Sequence, residues 1–545
     1  MNIRRAMTNN KYADKLFLII DNLKPSHDVL KKFAISLTAK KVDSTYQAKD
    51  ALPLCLEKRY DVIFLGYDLG ERQKNGQQLL EELRLSEVIS RHCIVIMITA
   101  EVSQEMVLAA LEHKPDCYLC KPYTVSELSR RLNNCYRKKQ SMASIYQALE
   151  DDDKNLAISL VNDALKNNTP YKSECLGIKS RQLFDLREYK KAKEIYLDYQ
   201  NEKNCTWANI GLGKVAIEEN KLSDAITIFQ TVIEQKPLYL PGYDWLSSTY
   251  EKKFETIFAE EALEQALVIS PRSVPRLKKY AGICYDNEHF EKATNAYSKV
   301  CNLASNSIHH CPENTLLFAK SLASYSSDLP LVEAKKLNNK AFSMLSQVIK
   351  SFNQPEIRIQ SHLLSACLLE NVNENVIANT KLDLGLKLLD REQFNIDDES
   401  LNAIASTLVK LKRNTTASQL LISAKQQEEV TSTLHEKEED STAEFKENYT
   451  TRAQKALNTG KKLFVIKDFD GAIDHLTKAL ELFPSHVGIK LNLLHILLGV
   501  YEDDKQRFNE MSMAKKLILS LINTTKSNEE KTRFRKIKLK YQQLV

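Results

Sequence analysis

The chain has no long hydrophobic run. Its longest purely apolar stretches, such as Leu16 to Ile20 and Ile94 to Ile98, fall far short of the roughly 20 residues a membrane helix needs. No membrane contact is expected. The first residues, with Arg4, Arg5, Asn9, Asn10 and Lys11, also lack the apolar segment of a secretory signal. Eleven cysteines scattered over 545 residues do not make a disulfide framework, so the expectation is a reduced, cytoplasmic protein. Missing too are Gly-x-Ser-x-Gly, a Walker loop and His-Glu-x-x-His, and with them any familiar hydrolase machinery. Neither a helix-turn-helix nor a zinc finger is present to dock nucleic acid. What remains is an ordinary globular composition, 43% hydrophobic and 27% charged. At 545 residues the chain is too long for one core unless it is a repeat array that adds its core unit by unit.

Charge is unevenly placed. The net +6 of the whole chain is already present in residues 1–140, which hold 23 Lys+Arg against 17 Asp+Glu. Later, residues 428–447 carry eight acidic and two basic side chains, and Lys531 to Lys540 packs six basic ones into ten positions. A basic front could meet an acidic protein surface or nucleic acid. The closing basic run is interrupted by Phe534, Ile537 and Leu539. It reads first as a terminal helix and second as a site for an anionic partner.

The front of the chain alternates between two periods. Leu16-Phe-Leu-Ile-Ile20, Val62 to Leu65 and Ile94 to Ile98 are short apolar runs suited to buried parallel strands. Between them, Val29, Leu30, Phe33 and Leu37, then Ala51, Leu52, Leu54 and Leu56, then Leu79, Leu80 and Leu83 recur at helical spacing. Val107, Leu108 and Leu111 follow, then Cys117-Tyr-Leu-Cys120, and finally Val125, Leu128 and Leu132. Strands alternating with helices predict a doubly wound parallel sheet covered on both faces. In such folds ligands bind at the carboxyl ends of the strands. Asp21, Asn22, Gly66, Thr99 and Lys121 all fall there.

Those residues carry a resemblance to the receiver domain of bacterial response regulators, over about residues 14–139. Asp21-Asn22 stands where the family has its acidic pair, Thr99-Ala100 where it has a hydroxyl before a small residue, and Lys121-Pro122-Tyr123 at its lysine–proline corner. Tyr118 takes the aromatic position that reports activation. The resemblance implies a phosphate-accepting aspartate at the tip of the third strand, and Gly66 is there instead, within Tyr60-Asp-Val-Ile-Phe-Leu-Gly66-Tyr-Asp68-Leu-Gly70. Glycine supplies neither nucleophile nor metal ligand. Asn22 replaces a charged ligand by a neutral amide, and Asp68 lies two residues beyond the acceptor position, a displacement that ruins in-line attack. Lys121 is expected to pair with Asp21 or to hold an anion.

Receivers dock partners through the face made by the fifth strand and its flanking helices. The resemblance places that face at about Ala109 to Asn134, with Tyr118, Arg130 and Arg131 as contact residues, followed by Arg137, Lys138 and Lys139. Tyrosine and arginine are favoured interface anchors. Cys117 and Cys120 sit three apart on a strand and so point to opposite faces. They read as structural cysteines, and His309-His310-Cys311 is assigned no metal.

From about Met142 the strand signals stop. Ala157, Ala192, Ala225, Ala259 and Ala293 recur at intervals of 33 to 35 residues. Four residues after each come Val161, Tyr196, Phe229, Leu263 and Tyr297, and three further on Ala164, Tyr199, Val232, Ala266 and Val300. Pro237 and Pro271 end the better units, and Leu212-Gly213 falls in the first helix of its unit. Small, bulky, small and then proline resembles the tetratricopeptide repeat. The pattern returns at Gly460, Leu463, Ala472, Leu476, Ala479 and Pro484, and Leu491, Leu494, Leu497 and Met513 suggest a closing helical pair. Such arrays coil into superhelices that bind peptides or helices.

The fold expected is therefore multidomain: a flavodoxin-like α/β receiver over 12–140, then an all-α superhelix. Repeats are expected at 141–305, divergent helical pairs with the acidic stretch at 306–450, and returning repeats with a basic terminal helix at 451–545. The function expected is that of a non-catalytic two-component signalling adaptor, with no enzyme activity, cofactor or metal. The implied partners are proteins: a sensor kinase, another regulator or a cyclic-dinucleotide enzyme, with a homodimer as a further option. Two alternatives stand beside it. One is a phosphorylation-responsive regulator using a non-standard aspartate with Mg²⁺, the other a nucleic-acid-binding regulator.

Overall fold

The computed structural model describes residues 11–70, 73–100, 112–113, 115–202, 205–392, 396–421, 468–482, 487–503 and 507–521, with isolated positions at 459–460, 463–464, 534, 537 and 540–541. Val107, Leu108 and Leu111, the acidic stretch 428–447 and most of Lys531 to Lys540 lie outside the described residues.

Five parallel strands build the front sheet: β1 (Leu16–Ile20), β2 (Lys41–Thr45), β3 (Val62–Gly66), β4 (Ile94–Thr99) and β5 (Cys117–Cys120), in the order β2-β1-β3-β4-β5. The helices between them are α1 (Lys24–Ser36), α2 (Ala48–Glu57) and α3 (Gly76–Leu85), and α4 (Val125–Ser141) follows β5. Side chains alternate across a strand, and here both sides are apolar. Leu18, Ile20, Ile63, Leu65, Val95 and Met97 pack against Ala51, Leu79, Leu80 and Leu83 of α2 and α3. Phe17, Ile19, Phe64, Ile96 and Ile98 pack against Leu30, Phe33, Leu128 and Leu132 of α1 and α4. This two-sided burial is why the strands read as continuous apolar runs.

Helix boundaries follow capping chemistry. Asn75 opens α3 with a reciprocal cap, its Oδ1 accepting from Gln78 N at 2.8 Å while Gln78 Oε1 accepts from Asn75 N at 3.0 Å. Thr124 opens α4 by accepting from Glu127 N at 3.1 Å.

Beyond α4 every described element is helical. The first stretch is α5 (Ala143–Glu150), α6 (Lys154–Lys166), α7 (Lys172–Asp185), α8 (Tyr189–Tyr199), α9 (Thr206–Glu218) and α10 (Leu222–Gln235). Next come α11 (Leu240–Lys253), α12 (Thr256–Ile269), α13 (Val274–Asp286), α14 (Phe290–Ala304) and α15 (Pro312–Tyr325). The last helices of this compact unit are α16 (Leu331–Ser351), α17 (Pro355–Glu370), α18 (Asn375–Glu392) and α19 (Asp398–Lys410).

The recurring alanines are packing positions. Ala157, Ala192, Ala225, Ala259 and Ala293 are each 0% exposed, and Val161, Tyr196, Phe229, Leu263 and Tyr297 are buried beside them. Small residues on facing helices make room for the rings: a Cβ on Gly211 would stand 2.3 Å from the Tyr196 ring, and one on Gly213 would stand 2.3 Å from the Phe229 ring. The backbone repeats as well. Asp152, Arg187, Asn220, Phe254 and Glu288 each have positive φ, at 50°, 61°, 59°, 67° and 64°. They sit in the turns α5–α6, α7–α8, α9–α10, α11–α12 and α13–α14, so one left-handed residue reverses the chain in each helical pair. Phe229 is 0% exposed at the centre of its pair. Phe229→Ala is therefore expected to lower stability by about 3–5 kcal/mol, read as a lower urea midpoint for helix loss by circular dichroism.

The second compact unit contains α20 (Phe469–Leu482), α21 (Val487–Asp503) and α22 (Phe508–Leu521). Ala472, Leu476, Leu491, Leu494 and Leu497 form its core with Phe534 and Ile537. Two of the apolar interruptions in the closing basic run are thus core residues, and Lys540 pairs with Glu502 at 2.5 Å. No helix among the described residues is long and apolar enough to cross a membrane.

Candidate functional site

The carboxyl ends of β1, β3, β4 and β5 bring Asp21, Asn22, Gly66, Thr99 and Lys121 to one edge of the sheet. Asp21 is 1% exposed and fully engaged. Its Oδ2 accepts from Lys121 Nζ at 3.0 Å and from Ser26 Oγ at 2.7 Å, and its Oδ1 accepts from Leu23 N at 2.9 Å. A buried carboxylate is tolerable only when paired in this way. Thr99 is buried, and its carbonyl accepts from Lys121 N at 2.6 Å, which fixes the start of the lysine–proline corner. Asn22 Oδ1 is buried with no hydrogen-bond partner among the described residues.

Gly66 ends β3 directly over β1. A Cβ placed there would stand 3.2 Å from the Ile20 carbonyl oxygen and 3.3 Å from Asp21 Cα. The strand tip is closed from the other side by Gly76, whose N donates to Tyr67 O at 2.7 Å. Asp68 is exposed and serves its own loop: its Oδ1 accepts from Gly70 N at 2.9 Å. Gly70 supplies the φ of +108° that this turn needs.

The surface residues are held in different ways. Tyr118 is half-buried and packs against the cluster holding Leu65 and Met97. Arg130 is exposed. Arg131 reaches back along α4 to Glu127 at 3.1 Å and also lies beside Cys117. Cys117 and Cys120 have different surroundings, with Cys117 packed between the sheet and α4 and Cys120 exposed. The neighbour of Cys117 is Cys135, and that thiol's hydrogen bond, with help from Arg131, brings Cys117 down to about 7 against the effect of burial. Cys135 is correspondingly raised.

A second cluster gave no sign in the sequence. Helix α3 carries Gln77, Gln78, Glu81 and Glu82 on a polar stripe, which an amphipathic helix normally turns to water. Gln77, Glu81 and Glu82 are nevertheless buried: Gln77 lies against His113 and Glu82 against Lys74 of the receiver, while Gln78 and Glu81 meet the array. Gln78 Nε2 donates to Leu303 O at 3.0 Å, and Glu81 Oε1 meets His309 Nε2 at 2.7 Å. Nearby, Glu112 accepts from Ser270 Oγ at 2.6 Å and from both terminal nitrogens of Arg276 at 3.3 and 3.2 Å. Arg276 in turn donates to Asp244 at 2.8 and 2.9 Å. The guanidinium is 5% exposed. Burial works against its charge, and Asp244 and Glu112 together more than offset that. His309, unassigned in the sequence, belongs to this contact.

Three histidines share one electrostatic signature. Burial, aided in each case by a nearby positively charged group or imidazole, holds His27, His113 and His362 below the ordinary histidine value. A depressed folded-state pKa means the unfolded chain takes up protons first as pH falls. Their contribution to stability is complete above about 6.5 and is lost on acidification below it. The urea midpoint is expected to be lower at pH 5.5 than at pH 7.5, with the slope removed by His→Gln at these three positions.

Residues 17–133 match the model of the response regulator receiver domain. They form a receiver domain. Over 121 residues, 22% of the chain, it is 25% identical to chemotaxis protein CheY-3 of Vibrio cholerae serotype O1, covering 91% of that protein. Among solved structures, a CheY-like receiver domain protein from Methanospirillum hungatei is similar at 20% identity and a TM-score of 0.21, covering 23% of this chain and 97% of the other. The C-terminal part of a TPR repeat-containing protein from Cytophaga hutchinsonii is similar at 15% identity and a TM-score of 0.36, covering 48% of this chain and 98% of the other. The chain thus joins a receiver to a long all-helical region.

Receivers imply Mg²⁺, a hard cation that seeks several oxygen ligands. The strand-end residues do not fit it. Asp21 is the one carboxylate among them and is committed to Lys121, Asn22 offers a neutral oxygen, and Gly66 offers none. No group of three or more metal-ligating side chains occurs among the described residues.

Proposed function

We propose that the chain is a non-catalytic signalling adaptor in which a receiver that has lost its phosphoacceptor is fused to a superhelix of tetratricopeptide type. The observation that carries this reading is Gly66 at the tip of β3, beside an Asp21 whose carboxylate is bonded to Lys121, Ser26 and Leu23. Phosphoryl transfer needs a nucleophile placed in line and counter-charges on the transferred oxygens. Here the nucleophile position is empty of side chain, and the lysine that would hold the phosphoryl group neutralises the remaining acid instead. Asp68 hydrogen-bonds its own loop, an arrangement that favours a turn and not attack.

The helical region supports a binding role through its geometry. Helical pairs of about 34 residues, each reversed by one left-handed residue, add surface without closing it. The unit boundaries proposed are 12–140, 141–305, 306–450 and 451–545, with a protein partner or a second copy of the chain taken by the array or by the receiver face of Tyr118, Arg130 and Arg131.

Affinity capture with the immobilised full chain tests the reading when it is run with and without Mg²⁺ and acetyl phosphate. The same proteins are expected in both samples. A partner recovered only after acetyl phosphate treatment would favour the phosphorylation-responsive alternative.

A further inference from the structure

The contact between the receiver and its own helical array is built in an unusual way. Two residues in it, Arg276 and Gln78, each have one partner across the contact and another on their own side. Arg276 of α13 bonds Glu112 across at 3.3 and 3.2 Å, but bonds Asp244 of α11 more closely, at 2.8 and 2.9 Å. Glu81 of α3 meets His309 across at 2.7 Å, and His113 of the receiver, 3.9 Å away, is beyond hydrogen-bond reach. Gln78 gives its Nε2 to the Leu303 carbonyl while its Oε1 holds the Asn75 cap of α3.

Breaking an ordinary buried ion pair is costly because it strands a charge without a partner. That cost is largely removed here. If the receiver moves off the array, Arg276 keeps Asp244, Gln78 keeps its cap, and Glu81 is hydrated. Glu112, already the more exposed partner at 21% against 5% for Arg276, passes into water.

We propose that this contact is a releasable latch: the receiver covers Ser270, Arg276 and His309 of the array in the closed state and uncovers them, together with Gln78 and Glu81, when it opens. The surface so exposed is polar, with a guanidinium, an imidazole and a hydroxyl that accommodate an acidic segment of a protein partner in place of Glu112. The latch stands on the contact geometry alone and is independent of whether the receiver can be phosphorylated.

Amide hydrogen exchange on the full chain tests it. In Glu81→Gln/Glu112→Gln the amides of α3 and of residues 303–311 are expected to exchange at least tenfold faster, with β3 and β4 unchanged. Asp244→Asn is the sharper test, because it removes the own-side partner of Arg276. Arg276 then depends on Glu112, so the same amides are expected to exchange more slowly than in the unaltered chain. The proposal is overturned if Asp244→Asn speeds their exchange or leaves it unaltered. It is also overturned if the double variant leaves α3 protection intact or loosens β3 and β4 equally.

Discussion

Gly76→Val is expected to abolish the folded receiver while leaving the helical array helical. A Cβ at position 76 would stand 2.2 Å from the Gly66 carbonyl oxygen and 3.0 Å from both Gly66 C and Tyr67 Cα. All three are backbone atoms, and they belong to the tip of β3 and the loop that follows. A flexible side chain could swing away from such a collision. A central strand hydrogen-bonded to β1 and β4 cannot. Ordinary overpacking costs about 1–3 kcal/mol, and a clash of this depth with fixed backbone exceeds it. The Gly76 N to Tyr67 O hydrogen bond of 2.7 Å would be lost with it. Limited proteolysis followed by mass spectrometry checks the outcome: rapid cleavage within residues 16–120 with survival of fragments from the array. Ala at the same position should show a milder form of the same defect, since its Cβ meets the same atoms.

Arg276→Met has the second large effect, and its cause is electrostatic. Removing one partner of a buried ion pair typically costs about 3–5 kcal/mol. Asp244 is 43% exposed and Glu112 21% exposed, so water recovers part of that, and the expected cost is about 2 kcal/mol. Both carboxylates lose their shared cation, and Glu112 keeps only the hydrogen bond from the Ser270 hydroxyl among these. The measurement is the urea midpoint of the first unfolding transition, since a chain of several units does not unfold in a single step. Glu112→Gln, by contrast, leaves Arg276 with Asp244 and should move that midpoint by less than about 1 kcal/mol. The inequality between the two variants is the informative result. Equal losses would mean that Asp244 by itself does not sustain the guanidinium.

What could be read from the sequence was whatever has a local signal. The apolar runs of β1, β3 and β4 announce two-sided burial because each side chain in turn meets helices. Ala225 and Phe229 announce a packed helical pair because a small residue and a bulky one must lie four apart on one face. Asp21 and Lys121 are 100 residues apart with β3 and β4 between their strands, yet a parallel sheet alone predicts that both lie at its carboxyl end.

The latch had no such signal. Arg276 and Glu112 are 164 residues apart, on elements whose relation depends on the cumulative turn of the array and not on any strand order. Glu81 and Gln77 look like the solvent side of an amphipathic helix, and only tertiary packing buries them. His309 appeared as part of an isolated cluster because its partner, Glu81, lies 228 residues away. Gly76 has no local signal either, since its close approach to the Gly66 carbonyl depends on how the loop after β3 folds back.

The central claim is that no side chain at the strand ends can accept a phosphoryl group. Incubation of the full chain with Mg²⁺ and ³²P-acetyl phosphate, followed by denaturing electrophoresis and peptide mapping, tests it most directly. Incorporation no greater than in the heat-denatured chain is predicted. Label recovered on a peptide containing Asp21 or Asp68 would contradict it.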